Sequence, residues 1–255
     1  MSIGVQSLEP QALVTLGRDH RFGDGRGAVE RTRAAGFTTS ADFILGTPGA
    51  AHEVATLDAD HLSVYELTIE ERTAFGQRVR DGRLVPLDED TLAEMYTRTH
   101  ERLVGAGFEH YEISSYARPG KRAVHNSLYW QGAPFLGLGV GAASLQHLPD
   151  GRGVRATNPR KAVAYMAAPG VAAERLEIDA GEMATDRLWL AMRTSDGVPE
   201  GALVASLADE LCANGLAEHR GGRICPTLRG FLMADRVAAR IVQSTGDLVS
   251  SSEDR

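Results

Sequence analysis

Cysteine is nearly missing from this chain: Cys212 and Cys225 are the two among 255 residues. Two thiols at that spacing match no metal motif and give no disulfide scaffold. Aromatic residues are scarce too, at 6% with two Trp. Long apolar runs are lacking. Residues 135–145 and 162–173 are too short, and too interrupted by Gly or Pro, to span a bilayer. Residues 1–10 show no charged start followed by an apolar run, so no secretory signal is expected and the expected setting is cytoplasmic. Basic clusters are absent: Lys and Arg are scattered and the net charge is −7, which argues against nucleic acid as a partner. No internal repeat is found. What remains is ample: 43% hydrophobic residues in a length sufficient for one large domain or two modest ones.

The order of elements points to an α/β chain. Ser2-Ile3-Gly4-Val5-Gln6-Ser7 reads as a buried strand, and residues 25–35 as a helix stopped by Gly36. Residues 41–46 and 61–67 read as further strands, the latter alternating and β-branched. Strand, helix, strand, short helix, strand is the grammar of a parallel sheet. The link 50–60 is at the minimum for a parallel crossover, about 10–12 residues. Asp88 caps a helix that runs to Gly105, with Leu92, Met95, Tyr96, Thr99 and Leu103 on one face. Residues 108–115 are expected as one strand, and 126–130 and 135–139 as extended or looped. Further helices are expected from Asn158 and over 184–193. A hairpin at Gly221-Gly222 and a helix over 227–242 complete a winged-helix-like end. The polar tail 244–255 is expected to be disordered.

The scarce aromatic and imidazole side chains crowd one place: His110, Tyr111, Tyr116, His125, Tyr129 and Trp130 fall within 109–130. Imidazole and flat π surfaces together suit a planar, metal-bearing ligand. A core strand with a surface His is the bland alternative for His125. In Glu109-His110-Tyr111-Glu112, His110 and Glu112 share one strand face, as an acid–base pair or as an ordinary solvated face, and the solvated face is favoured. The Gly-rich run from Leu136 to Ala143 allows close backbone approach to a ligand or to a neighbouring strand, but its spacing is not a dinucleotide fingerprint. Gln6 and Asp42 lie in expected parallel strands, whose carboxyl ends deliver ligand-binding groups. Arg229, Arg236 and Arg240 on the last helix could touch DNA, but the acidic chain favours a protein contact or lid.

These residues carry a resemblance. Ile3-Gly4-Val5-Gln6-Ser7, Leu16-Gly17-Arg18, Ala34-Ala35-Gly36-Phe37, the run from Asp42 to Gly49, and Asp60 to Leu67 resemble the HemW-type haem chaperones. So do residues 109–120, His125-Asn126-Ser127-Leu128-Tyr129-Trp130 and Leu136-Gly137-Leu138-Gly139. This group belongs to the radical SAM, oxygen-independent coproporphyrinogen III oxidase-like family, and the resemblance covers nearly the whole chain to residue 242. It implies a partial radical-SAM (β/α) barrel over 1–85, an α+β haem-motif region over 86–175 and a winged-helix-like module over 176–243. It implies haem as ligand, with His125 on the iron and Asn126, Tyr129 and Trp130 around it. Gln6, Arg18 and Asp42 match S-adenosylmethionine contacts.

The family's Cys-x3-Cys-x2-Cys loop, which holds a [4Fe–4S] cluster, has no counterpart in this sequence. Met1 falls at what resembles the fourth barrel strand, so an N-terminal truncation or a misplaced start is expected. Shortened segments are expected between Gly49 and Asp60 and between Gly197 and Gly215. The expected function is haem binding for transfer to an acceptor. The partners left open are a respiratory acceptor, a membrane-associated protein and a second copy of the chain. The alternatives are a radical SAM porphyrinogen oxidase, which the missing cysteines disfavour, and a remnant without function.

Overall fold

A computed structural model describes residues 1–19, 23–50 and 57–253. The chain divides into two compact units, Met1–Ala123 and Val124–Arg255.

The first unit runs β1 (Ser2–Gln6), α1 (Pro10–Thr15), α2 (Asp24–Ala34), β2 (Ser40–Leu45), β3 (His61–Glu66), α3 (Ala74–Arg80), α4 (Glu89–Gly105), β4 (Glu109–Glu112) and β5 (Ser115–Ala117). The five strands form an open sheet in the order β1-β2-β3-β5-β4. β1, β2 and β3 are mutually parallel, whereas β5 joins β3, and β4 joins β5, antiparallel. This is a partial barrel extended by a hairpin.

Strand periodicity sorts the faces of β2. Ala41, Phe43 and Leu45 are buried, while Ser40, Asp42 and Ile44 are half-buried on the other side. The buried side joins Val5, Val29, Leu62, Met95, Leu103, Phe108 and Tyr116 in one core. α2 stops because Gly36 takes a positive φ of 82°, which costs glycine little. α4 starts at Asp88, whose carboxylate accepts the Thr91 amide at 2.8 Å. The short crossover expected at 50–60 falls largely on residues 51–56, outside the described residues.

The single strand expected over 108–115 is in fact two. The chain reverses at Ile113-Ser114, where Ile113 O accepts the Tyr96 hydroxyl at 2.8 Å and the Glu112 carboxylate accepts the Ser114 amide at 3.3 Å. These side-chain bonds take the place of ladder bonds.

The second unit runs α5 (Val124–Trp130), β6 (Ala143–His147), β7 (Gly153–Thr157), α6 (Ala162–Ala167), β8 (Glu174–Ile178), α7 (Ala180–Ala191), β9 (Val198–Pro199), α8 (Ala205–Ala213), β10 (Ala217–His219), β11 (Arg223–Pro226), α9 (Leu228–Leu232) and α10 (Ala234–Glu253). β6, β7 and β8 make an antiparallel meander. The remainder has the order of a winged-helix module, with a sheet β10-β11-β9. Its core gathers Met192, Leu207, Leu211, Leu216, Ile224, Val237 and Ile241. Gly221 and Gly222 close the hairpin with φ of 58° and 74°, the positive values a two-residue turn needs.

Three expectations change here. Residues 126–130, expected to be extended or looped, are helical in α5. The helix expected over 227–242 is broken at Met233 into α9 and α10. α10 then continues to Glu253, across the segment that composition marked as a disordered tail. Among the described residues, no helix is long and apolar enough to cross a membrane.

Candidate functional site

α5 carries the His-Asn-x-x-Tyr-Trp segment and buries none of its residues. His125 and Tyr129 are exposed, and Asn126 and Trp130 are half-buried. The helical spacing i, i+4 brings His125 and Tyr129 together. Their rings meet edge to face at 5.0 Å between centroids. Tyr129 in turn meets Phe135 edge to face at 4.7 Å. An extended segment would have placed His125 and Tyr129 further apart; the helix is what makes them one surface. Among the described residues, no group of three or more His, Cys, Asp and Glu side chains gathers to hold a bare metal ion.

Phe135 also lines a cavity of about 810 Å³. Its wall is built by the Gly-rich loop and by β6, β7 and the β8 approach, through Leu136, Leu138, Leu145, Val154, Ala156 and Ala172 among others. Gly137 of this loop serves close packing. A Cβ on Gly137 would come within 2.1 Å of Ala143 O. Of the two readings of this run left open by sequence, tight packing against a neighbouring strand is the one seen. The loop is also tied down. Asn158 Nδ2 donates to Gly137 O at 3.1 Å and to Gly139 O at 2.9 Å. Gly137 N donates to Ser144 Oγ at 2.9 Å and Gly139 N to Tyr165 Oη at 3.1 Å. This cavity was not legible in the sequence, because its walls come from segments far apart along the chain.

Gln6 and Asp42 lie on adjacent parallel strands of the first unit. Gln6 ends β1 with a φ of 64°, a left-handed conformation unusual for a residue with a Cβ, at a register irregularity against β2. Asp42 accepts the Ser2 hydroxyl at 2.7 Å, which satisfies its half-buried carboxylate. Arg18 follows α1 and is exposed. Cys212 and Cys225 both lie in the winged-helix module. Cys225 is buried, with its thiol donating to Asp196 O at 3.5 Å.

The solvated face expected for His110 and Glu112 is corrected. Glu112 is 2% exposed, and a register irregularity between the two residues interrupts the simple alternation of β4. Burial pushes the Glu112 carboxyl up. His110 stacks on Tyr116 at 4.1 Å with an interplanar angle of 12°, and its Nδ1 lies 3.0 Å from His100 Nδ1. Burial first, and then the neighbouring His100, push His110 down to about 3. His61 is buried as well, with Nδ1 2.9 Å from Ser40 Oγ and Nε2 2.8 Å from Tyr111 Oη. These imidazoles are neutral members of packed networks. Sequence reasoning gave no signal for the His61 network, because its three members come from three strands.

No protein-family model matches the chain. Its architecture is that of coproporphyrinogen III oxidase from Escherichia coli, described as a radical SAM enzyme. The TM-score is 0.74 at 16% identity, covering 94% of this chain and 63% of that one. The chain therefore shares the fold of that enzyme. Sequence similarity points to a narrower group. The heme chaperone HemW of Mycobacterium tuberculosis is 36% identical over 255 residues, covering 95% of this chain and 65% of that protein. HemW of Bacillus subtilis is 29% identical over 258 residues, covering 93% of this chain and 68% of that protein. The mitochondrial radical S-adenosyl methionine domain-containing protein 1 of mouse is 38% identical over 162 residues, covering 60% of this chain and 36% of that protein. Over most of its length the chain is similar to the HemW heme chaperones, and it spans 65% of the length of the first of these relatives.

Proposed function

We propose that this chain binds haem at α5, with His125 as ligand to the iron and Asn126, Tyr129 and Trp130 around the ring. The observation that carries this reading is the series His125–Tyr129–Phe135, which links an exposed imidazole to the wall of an apolar cavity through two edge-to-face contacts. Haem brings its own equatorial nitrogens, so the protein need supply only axial ligands and a flat apolar contact. An exposed His on a helix that buries none of its residues can turn towards such a ligand at little cost to the fold.

Binding of haem for delivery to an acceptor protein in the cytoplasm is the role this reading extends to, with respiratory and membrane-associated proteins as candidate acceptors. A second copy of the chain is a further candidate partner. For S-adenosylmethionine, the candidate contacts are Gln6, Arg18 and Asp42, supported by the position of Gln6 at the carboxyl end of a parallel strand. The thiols of this chain do not fit a [4Fe–4S] cluster: there are two, and Cys225 is sealed at 2% exposure.

Titration of the protein with ferric haem tests the reading. A saturable Soret band is expected, shifted or lost in His125→Ala. An identical spectrum and affinity in that variant would remove His125 from the site. Absence of any Soret change in the parent would remove the haem reading.

A further inference from the structure

We propose that the cavity beside α5 receives the apolar ring of a carboxylate-bearing tetrapyrrole, and that Arg175 anchors its carboxylates. This deepens the haem reading and rests on it for the identity of the ligand. Of the uncharged polar side chains that line the cavity, Ser144, Asn158 and Tyr165 each hold the Gly-rich loop through its backbone, and Gln146 is the fourth. The hydrogen-bonding capacity of the first three is thus largely spent on the wall. What faces a ligand is mainly apolar: Phe135, Leu136, Leu138, Val154, Ala156 and Ala172. The rim is apolar as well, with Leu136 78% and Leu138 80% exposed, surface that gains by being covered.

Among the described residues, one charged side chain lines this cavity, Arg175. It stands on β8 opposite Ala156, in the row Ser144–Ala156–Arg175 that crosses the sheet. The two arginines on and beside β7 are already paired. Arg152 holds Asp150 at 2.7 Å and Glu177 at 3.4 Å, and Arg155 pairs with Asp186 at 2.5 Å. Arg175 makes no ion pair among the described residues. An exposed guanidinium at the edge of an apolar seat matches a ligand with a large flat body and an anionic edge, because Arg presents a fork of N–H donors to a carboxylate. The volume of about 810 Å³ lies in the usual range for small-molecule sites. Phe135 belongs both to this cavity and to the aromatic series from His125, so a metal and a carboxylate on one ligand can be read by different ends of one site.

Three ligands separate the two ends: haem, metal-free protoporphyrin IX, and haem dimethyl ester, which keeps iron but has no free carboxylate. Arg175→Gln changes an exposed side chain and leaves the fold intact. It should weaken haem and metal-free protoporphyrin about tenfold each, the size of one charge-assisted bond, and leave the ester unchanged. His125→Ala should alter the spectra of haem and its ester and leave metal-free protoporphyrin unchanged. Ala156→Phe, which fills the seat, should weaken all three. Equal binding of all three ligands by Arg175→Gln and the parent overturns the anchor, while a surviving His125 effect keeps the haem reading. If haem fails to bind but protoporphyrin binds in an Arg175-dependent way, the haem reading falls and the cavity inference stands. If no ligand binds, both fall.

Discussion

His110 and His125 belong to different units and live in opposite surroundings. His110 is packed on Tyr116 and against His100 beneath α4, and burial holds it down to about 3. His125 stands exposed on a helix that buries nothing, with one ring contact to Tyr129. Sequence offered both as candidate ligands. In the structure the first is packed within the fold and the second is exposed. The same contrast holds around them. Near His110 the aromatic rings serve a core, whereas near His125 they form a surface. Clustering of imidazoles and aromatics therefore marks a candidate site only where the side chains are not already used by one another.

The contrast can be broken in several ways, beginning with the largest expected effect. Leu103→Ala opens a void in the core beneath α4, where Leu103 is fully buried. It should cost about 2–5 kcal/mol, read by hydrogen exchange in peptides of residues 1–123. Equal loosening of peptides from 124–253 would refute the division into two units.

Acid should separate the units next. The folded-state pKa of His110 lies below its unfolded value of about 6.5, so its contribution is complete above that pH and is lost as pH falls towards 3. His61 and His100 are lowered in the same direction by burial. The first unit should lose about 1.4 kcal/mol per pH unit from His110 alone in that window. His110→Phe, which preserves the ring stacking, should flatten the slope. An unchanged acid transition in that variant would count against the buried, neutral imidazole.

Gly137→Ala attacks the cavity wall instead, since its Cβ meets Ala143 O. A loss of about 1–3 kcal/mol is expected from this overpacking, with weaker ligand binding. Gly222→Ala forces a Cβ into the left-handed turn of the winged-helix hairpin. A cost of about 1–2 kcal/mol should appear in a thermal melt, without effect on haem affinity. At the small end, His125→Ala should change stability by less than about 0.5 kcal/mol while changing the Soret spectrum. A large stability loss there would mean that His125 is structural after all.

Much of the first unit was legible. β2 and β3 announce themselves by alternation, Asp88 and Gly36 by their capping chemistry, and Gly221-Gly222 in the second unit by its turn chemistry. These signals are local, and local physics decides them. α5 was missed because Val124, Asn126, Tyr129 and Trp130 are modest helix formers and no Ser, Thr, Asp or Asn caps its start. The β6-β7-β8 meander was missed because β6 buries none of its residues and β8 only Ile178, so little hydrophobic alternation is written into either strand. The bent hairpin at Ile113-Ser114 depends on Tyr96, contributed by α4. As for the candidate site, the residues of α5 stood out in the sequence, but the cavity beside them did not.

The two units also differ in the distance their strands must travel to meet. Ser2 pairs with Ser40, and Ser40 with His61, so the first sheet forms only after long loops have closed. In the second unit His147 pairs with Gly153, and His219 with Ile224, across tight turns. Hairpins of that kind form in about 1–10 μs, whereas parallel pairing waits on chain search. Folding should therefore run on two clocks, with the hairpins of the cavity wall and of the winged module set before the parallel strands find their register.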